Sequence, residues 1–308
     1  MRAMKAGTNL EKVLRSGAFA VTAEIGPPKG AVAAVVKRKA DLLKGSCDAY
    51  NVTDNQTAIV RMSSLAGCVM LKEAGLDPVM QIVVRDRNRI AIQSDILGAV
   101  ALGIGNFLCL SGDHQRFGNH PQAKGVFDID SIQLIQTFKN LRDEGRFISG
   151  DEISGEMPLF IGAAANPFAD PVDFRVARLA KKVRAGADFI QTQAVYDVER
   201  FATWMKGVRQ LGLHKEVYIL AGLIPPKSIG MARYMRDYVP GIHVPDEIIE
   251  RLENADDVKE EGQKITLELI EALEEIEGLS GIHIMAVGWE EAVPHIVAKA
   301  GLLPRPVV

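Results

Sequence analysis

Cysteine is scarce in this chain, and the cysteines present are far apart. The 308 residues include three cysteines, Cys47, Cys68 and Cys109. None of them forms the Cys-x-x-Cys spacing that iron–sulfur clusters and structural zinc sites use. The sequence therefore predicts no metal centre within this chain.

The chain also lacks a strong excess of charge and any long apolar run. Its formal net charge of −3 gives no electrostatic reason to bind nucleic acid or an anionic membrane. No apolar run reaches the roughly 20 residues of a membrane span, and no apolar stretch follows the basic N-terminal residues, as a secretory signal would require. We expect a globular, cytoplasmic protein.

Strand-like apolar runs alternate with helical periodicity along the whole chain. The predicted strands cover residues 19–25, 49–53, 79–85, 107–110, 159–165, 189–193, 217–223 and 282–287. Such alternation indicates parallel strands joined by helices. Eight units predict a single catalytic domain over residues 1–308, folded as a (β/α)8 TIM barrel. A doubly wound open sheet is the alternative, but no Gly-x-Gly-x-x-Gly motif links a strand to a helix.

Two segments exceed what a minimal barrel needs. Residues 111–130 form a polar, glycine-rich loop after the fourth strand, and long loops at this end of a barrel usually bind a ligand. Residues 245–278 are acidic, with Ile265, Leu269, Leu273 and Ile276 at helical spacing. This second segment predicts an extra amphipathic helix before the last strand, packed on the barrel or on a partner subunit.

Glu24 ends the first predicted strand, because Gly26-Pro27-Pro28 follows and strand interiors do not tolerate that sequence. The acid is either a solvated strand-end residue or a catalytic group at the carboxyl end of a barrel. Polar residues also end other predicted strands: Asn51, Thr53, Asp54, Asn55, Gln81, Asp86, Ser111, Asp113, His114, Asn166, Gln191 and Gln193. Carboxylates and amides converging on one rim suit a polar heterocycle, whereas no histidine cluster or Gly-x-Ser-x-Gly elbow suggests metal or serine chemistry.

Three basic residues have both structural and functional interpretations. His114 and His120 lie in the long loop, where the functional interpretation is a contact with a ligand. Lys182, next to Lys181, lies near the C-terminal end of a predicted helix. It either offsets the helix dipole or pairs with the phosphates of a cofactor.

With these motifs assembled, the chain resembles the methylenetetrahydrofolate reductase family. The resemblance covers nearly the whole chain, in the family's order and spacing. It rests on six segments, at residues 22–28, 52–55, 110–113, 181–188, 191–197 and 221–225. It implies a flavin-dependent (β/α)8 barrel that reduces 5,10-methylenetetrahydrofolate to 5-methyltetrahydrofolate by ping-pong hydride transfer through FAD, with NADH or NADPH as a possible donor.

The resemblance also implies roles for individual residues. Glu24 would protonate the departing nitrogen as the folate ring opens to an iminium, which requires an acid that holds its proton near neutral pH. Asp113 would lie near both flavin and pterin, and Gln193 would bind the pterin. The implied cofactor contacts are Thr53, Gln81, Ser111, Gly112, Asp113, His114, Ala164 and Lys182, with Lys182 near the pyrophosphate.

Departures from the family pattern resemble its anaerobic, acetogen-like branch. Ser111 replaces a frequent arginine, Gln81 replaces a frequent histidine, and Ala194-Val195 replaces aromatic residues after Gln193. In that branch a separate zinc or iron–sulfur subunit can accompany the barrel, so we expect either such a partner or a homo-oligomer. A pterin-binding barrel with methyl-transfer chemistry, or a scaffold subunit that docks through residues 245–278, remains the alternative.

Overall fold

The computed structural model describes residues 3–239 and 241–308. In these ranges, eight parallel strands close into a barrel in chain order. The strands are β1 (Ala20–Ile25), β2 (Ala49–Val52), β3 (Pro78–Val83), β4 (Asn106–Leu110), β5 (Phe160–Ala165), β6 (Phe189–Ala194), β7 (Tyr218–Leu223) and β8 (Gly281–Ile284). The predicted (β/α)8 barrel is confirmed, and the open sheet is excluded because β8 pairs with β1. The last strand ends before the predicted residue 287, because the chain turns between Ala286 and Trp289.

Helices connect these strands and surround the barrel. They are α1 (Asn9–Ser16), α2 (Ala33–Leu43), α3 (Ser64–Glu73), α4 (Arg89–Ala101), α5 (Ser131–Asp143), α6 (Phe174–Ala185), α7 (Val198–Gln210), α8 (Ile229–Tyr238), α9 (Asp246–Glu253), α10 (Val258–Glu274) and α11 (Ala292–Lys299). A search of the described residues finds no helix with the length and apolar character to cross a membrane.

The acidic segment before the last strand is helical as predicted, but it consists of two helices. The first, α9, ends at Glu253, and Asp257 starts α10 by accepting hydrogen bonds from the backbone of Lys259 and Glu260 at 2.9 and 3.0 Å. The apolar side chains of α10 are buried in the molecule's own core. The predicted packing on the barrel is therefore confirmed, and this face is not free to dock a partner.

Helix α1 closes the N-terminal end of the barrel, a feature that the sequence reasoning missed. Thr8 Oγ1 caps it by accepting from Glu11 N at 3.3 Å, and Gly17, with φ of 81°, ends it in the left-handed conformation. Its side chains Leu10, Val13 and Leu14 pack against the lowest inward-facing layer of the strands. That layer comprises Ala20, Ala49, Val79, Leu108, Phe160, Phe189 and Leu220. This end is a sealed apolar core.

The next inward-facing layer is polar and internally hydrogen-bonded, because alternate residues of a strand face the same side. Asn51 Nδ2 donates to Gln191 Oε1 at 2.6 Å, and Gln191 Nε2 donates to Thr22 Oγ1 at 3.1 Å. Thr22 Oγ1 also lies 2.9 Å from His283 Nδ1. Burial lowers the pKa of His283 to about 3, so the ring is neutral. A third layer, which includes Glu24 and Thr53, then faces the mouth.

Candidate active site

Glu24 lies at the barrel mouth, two residues beyond Thr22 on β1, so the two side chains share the inward face. Burial raises the pKa of Glu24 to about 7. Hydrogen bonds from Gln56 and Gln81 oppose this rise by stabilising the carboxylate, and Gln56 Nε2 lies 3.2 Å from Glu24 Oε1. The carboxyl can therefore hold or release a proton near neutral pH, which a solvated strand-end acid does not do.

The turn after β2 connects Glu24 with Asp113. Within this turn, Thr57 N donates to Asp113 Oδ2 at 3.0 Å, while Gln56 reaches Glu24. Asn55, Thr57 and Ala58 have φ values of 44°, 58° and 55°. Asparagine adopts this left-handed region readily, whereas it is costly for Thr57 and Ala58. The strained turn places one donor on each of the two carboxylates that the sequence singled out.

Asp113 is exposed and follows a glycine that allows close backbone approach. Gly112 has φ of 84°, and a Cβ there would lie 3.0 Å from Val83 Cβ. Arg85 is buried and donates from Nη1 to Asp113 O at 3.0 Å. It also pairs with Asp86 at 2.6 Å, so the arginine fixes the main chain at Asp113, and the carboxylate bonds to Thr57 N.

Thr53 follows β2 at the mouth, and its side chain is 1% exposed. Its Oγ1 is buried and finds no hydrogen-bond partner among the described residues. An unpaired buried hydroxyl costs on the order of 1–3 kcal/mol. A polar ligand atom beside Oγ1 would remove that cost.

A second cluster lies where β5 and β6 end. Lys182 of α6 is buried, and its Nζ donates to the carbonyl oxygen of Ala164. Burial, together with the nearby Arg178, lowers the pKa of Lys182 to about 8. Both residues line a cavity of about 130 Å³ with Gln193 and Trp204, and the buried Trp204 Nε1 has no partner among the described residues. Basic groups and one unpaired donor at the same cavity suit an anionic, oxygen-rich ligand.

The remaining predicted contacts lie in the loop after β4. Ser111, His114 and His120 are exposed, and His114 Nδ1 accepts from Arg116 N at 3.1 Å. Asp130 ends the loop with a capping box for α5. These positions are close to Asp113 in the chain, but none of them contacts Glu24.

Metal chemistry gains no support from the described residues. They contain no group of three or more His, Cys, Asp or Glu side chains arranged to hold an ion. The three cysteines are buried free thiols, and burial raises their pKa above the usual range. They are core residues, inert as nucleophiles.

Several residues near the site were not identified from the sequence. Gln56 gives no motif signal, because its role depends on the strained turn. Lys39 and Glu290 form an ion pair beside β1. The position of Glu290 shortly after the eighth strand was the one available hint.

Tyr196, the aromatic residue nearest to Gln193 in the chain, is buried and donates to the carbonyl oxygen of Ile224.

Comparison with known proteins gives a consistent result at the level of family. A family model described as methylenetetrahydrofolate reductase matches residues 9–301. Methylenetetrahydrofolate reductase 1 of Schizosaccharomyces pombe is 26% identical over 238 residues, covering 74% of this chain and 36% of that protein. Methylenetetrahydrofolate reductase 2 of Saccharomyces cerevisiae is 28% identical over 242 residues, covering 75% and 37%. The chain spans about a third of the length of these relatives.

Solved structures show the same fold at low identity. An uncharacterised protein from Clostridium thermocellum, which binds two copies of 5-methyl-5,6,7,8-tetrahydrofolic acid, superposes with a TM-score of 0.67 at 15% identity, covering 96% of this chain and 99% of that one. An oxaloacetate acetylhydrolase superposes with a TM-score of 0.53 at 11% identity, covering 98% and 85%. At these identities the likeness concerns the barrel alone.

Proposed function

The chain belongs to the methylenetetrahydrofolate reductase family, and on that basis we propose that it reduces 5,10-methylenetetrahydrofolate to 5-methyltetrahydrofolate. A bound FAD would carry hydride from an electron donor to the folate, so oxidation of the donor and reduction of the folate would be separate half-reactions. The structural neighbour that binds 5-methyltetrahydrofolic acid supports a folate ligand for a barrel of this kind.

The burial of Glu24, which raises its pKa to about 7, is the observation that carries the proposal. The bridging carbon of the substrate accepts hydride readily once the five-membered ring has opened to an iminium, and this opening requires a proton on the departing nitrogen. A carboxyl with a pKa raised to about 7 holds that proton at neutral pH and can release it to an amine. An ordinary surface glutamate would have lost its proton far below that pH.

Asp113 would have the complementary role of a carboxylate held in place by hydrogen bonds. Its carboxylate accepts from Thr57 N, and its main chain is held by Arg85. A carboxylate fixed at the mouth would stabilise a cationic folate as the positive charge develops. Gln193, whose amide lines the cavity near Lys182, would donate to and accept from the edge of the pterin.

The residues at the mouth fit FAD. Thr53 Oγ1 is a buried polar atom without a partner among the described residues. Gly112 has no side chain, so a ligand can approach its backbone closely. Lys182 provides a buried cation for the pyrophosphate. Gln81, Ser111, His114 and Ala164 complete the proposed contacts. A bound FAD would supply hydride transfer between the electron donor and the folate carbon.

The source of electrons is proposed more broadly, as NADH, NADPH or a zinc or iron–sulfur partner subunit. The aromatic residue that follows Gln193, Tyr196, bonds to the main chain at Ile224. Tyr196 is also buried, which favours a partner as the electron source over stacking of this ring on a nicotinamide. The folate half-reaction, which depends on Glu24 and Asp113, does not depend on this choice.

A visible spectrum tests the proposal directly. The purified protein, reconstituted with FAD and kept free of oxygen, is treated in turn with NADH, NADPH and 5-methyltetrahydrofolate. Bleaching by methyltetrahydrofolate is the expected result, because the folate half-reaction is reversible in principle. Failure to bind FAD would remove the flavin claim. Bound FAD without bleaching by the folate would favour methyl transfer or a scaffold role.

A further inference from the structure

An ion pair that no proposed step uses lies beside the carboxyl end of β1. Lys39 of α2 and Glu290, in the turn between β8 and α11, approach to 2.5 Å between Nζ and Oε1. Their side chains are 20% and 13% exposed, so the pair is mostly shielded from water. Lys39 Nζ also donates to the carbonyl oxygen of Gly26 at 3.1 Å, two residues beyond Glu24.

This pair connects the three elements that meet at Glu24. Strands β1 and β8 are hydrogen-bonded neighbours, with Ala23 beside Ile284, and α2 follows β1 in the chain. The negative charge of Glu290 and the positive charge of Lys39 both act on Glu24, in opposite directions. Because the pair is shielded, these charges act over a longer range than they would in bulk water.

The other groups facing Glu24 do not duplicate this effect. Gln56 and Gln81 are uncharged hydrogen-bond partners, and the buried His283, in the layer below, is neutral. Among the other charged groups near the mouth, Arg85 pairs with Asp86, and Arg87 pairs with Asp54 and Asp95. Arg61 donates to the carbonyl oxygen of Pro27, Lys227 donates to those of Val287 and Gly288, and Asp113 accepts from Thr57 N.

We propose that Lys39 and Glu290 form a positioning pair for the proton donor. The pair fixes the backbone at Gly26 and balances one positive charge against one negative charge beside the Glu24 carboxyl. The proposal rests on the proposed function in one respect: protonated Glu24 is the form that opens the folate ring. Its charge relation to Glu24 holds whether or not folate is the substrate.

Replacing Lys39 and replacing Glu290 should shift the pKa of Glu24 in opposite directions. Replacing Glu290 by Gln leaves Lys39 unneutralised, which favours the carboxylate, so Glu24 loses its proton at lower pH. Replacing Lys39 by Met leaves Glu290 unneutralised, so Glu24 retains its proton to higher pH. Each shift should be on the order of one pH unit, and the double variant should return close to the native value.

The first measurement is a carbon NMR titration of protein labelled at the glutamate carboxyl carbon, with the Glu24 signal assigned from its loss in Glu24→Gln. Glu290→Gln, Lys39→Met and the double variant are titrated beside two exposed controls, Glu291→Gln and Lys37→Met, which should leave the titration in place. Lys39→Arg keeps the charge and should behave like the native protein. This readout needs neither FAD nor activity.

The second measurement is the pH profile of flavin reoxidation by methylenetetrahydrofolate. Since the acid must be protonated, the rate falls above its pKa. That fall should move to lower pH in Glu290→Gln and to higher pH in Lys39→Met. NMR shifts in the same direction, or no shifts in correctly folded variants, overturn the inference. Opposite NMR shifts without folate turnover would support the charge relation and reject the proposed function.

Discussion

The two ends of the barrel are built from the same strands but have opposite chemistry. At the N-terminal end, α1 presses Leu10, Val13 and Leu14 onto an apolar layer in which Phe160 and Phe189 stack with ring centroids 5.2 Å apart. At the carboxyl end, the inward residues include a carboxyl with a raised pKa, Glu24, and a hydroxyl, Thr53, that has no partner among the described residues.

This contrast separates stability from function within one ring of strands. The inward-facing side chains at the apolar end need no hydrogen-bond partners when α1 covers them. At the polar end, Thr53 Oγ1 and Trp204 Nε1 are buried without a partner among the described residues. The hydrogen-bonded layer of Thr22, Asn51, Gln191 and His283 lies between them. Like the mouth, this layer is polar. Unlike Thr53 at the mouth, each of its side chains has a hydrogen-bond partner. A shifted pKa alone therefore does not mark the mouth, since His283 in the hydrogen-bonded layer also has one; the hydroxyl of Thr53, which has no partner among the described residues, does.

The largest expected effect is at Glu24. Glu24→Gln keeps the size and hydrogen-bonding capacity of the side chain but removes its proton, so folate reduction should fall by roughly 100-fold to 10,000-fold. FAD binding and flavin reduction by the donor should persist. Stopped-flow measurement of each half-reaction checks this, with the exposed Glu271→Gln as a control. Unchanged folate turnover would contradict the role of Glu24.

At the opposite end, Leu14→Ala should reduce stability and leave chemistry alone. Leu14 is 3% exposed against the apolar layer, and removing such a side chain costs about 2–5 kcal/mol. Urea unfolding should show the loss, while the folate half-reaction per folded molecule stays native. A change in the rate constant without loss of stability would mean that the two ends are coupled.

The next effect concerns cofactor binding, and it is tested by comparing Lys182 with its exposed neighbour Lys181. Lys182→Met should weaken FAD binding by roughly tenfold or more, since a buried charged hydrogen bond is worth about 1.5–3 kcal/mol. The exposed Lys181, which lies 5.5 Å from the centre of the Phe174 ring, should tolerate the same change. FAD fluorescence titrations of both variants make the comparison.

The same lysine predicts a pH dependence of cofactor binding. Its pKa is lowered to about 8, and the protonated form attracts the pyrophosphate. Native FAD affinity should therefore fall as pH rises through about 8, and Lys182→Met should show no such fall. If both proteins show the same profile, Lys182 does not bind the cofactor phosphates.

The smallest expected effects are changes in the free energy of unfolding, with opposite signs for a threonine at the mouth and a threonine in the hydrogen-bonded layer. Thr53→Val removes a buried hydroxyl without a partner, so it should raise the free energy of unfolding of the ligand-free protein by about 1 kcal/mol and weaken FAD binding several-fold. Thr22→Val removes a bonded hydroxyl and should destabilise by about 1–3 kcal/mol. Thermal unfolding with and without FAD measures both, and a loss of stability in Thr53→Val would reject the contrast.

The sequence predicted the barrel because strand and helix periods are local patterns. It also identified Glu24 and Asp113, because a polar residue at a strand end is visible in the chain. It missed α1, although Thr8 and Gly17 mark the ends of this helix, because the apolar layer that α1 covers comes from seven separate strands. The sequence reasoning joined α9 and α10 into one helix. Asp257, which caps α10, is one of many acidic residues in this segment, so it does not stand out as a helix start.

The roles of the site residues stay predictions, and the structure changes how each can be tested. The sequence by itself determined the order of the elements and the residue types at each strand end, because alternation and spacing depend on near neighbours in the chain. Tertiary structure alone decided that Gln56 reaches Glu24, that Thr53 has no partner among the described residues, and that Lys39 meets Glu290. Burial and charge act through space, so these properties, including the raised pKa of Glu24, emerge when distant segments pack together.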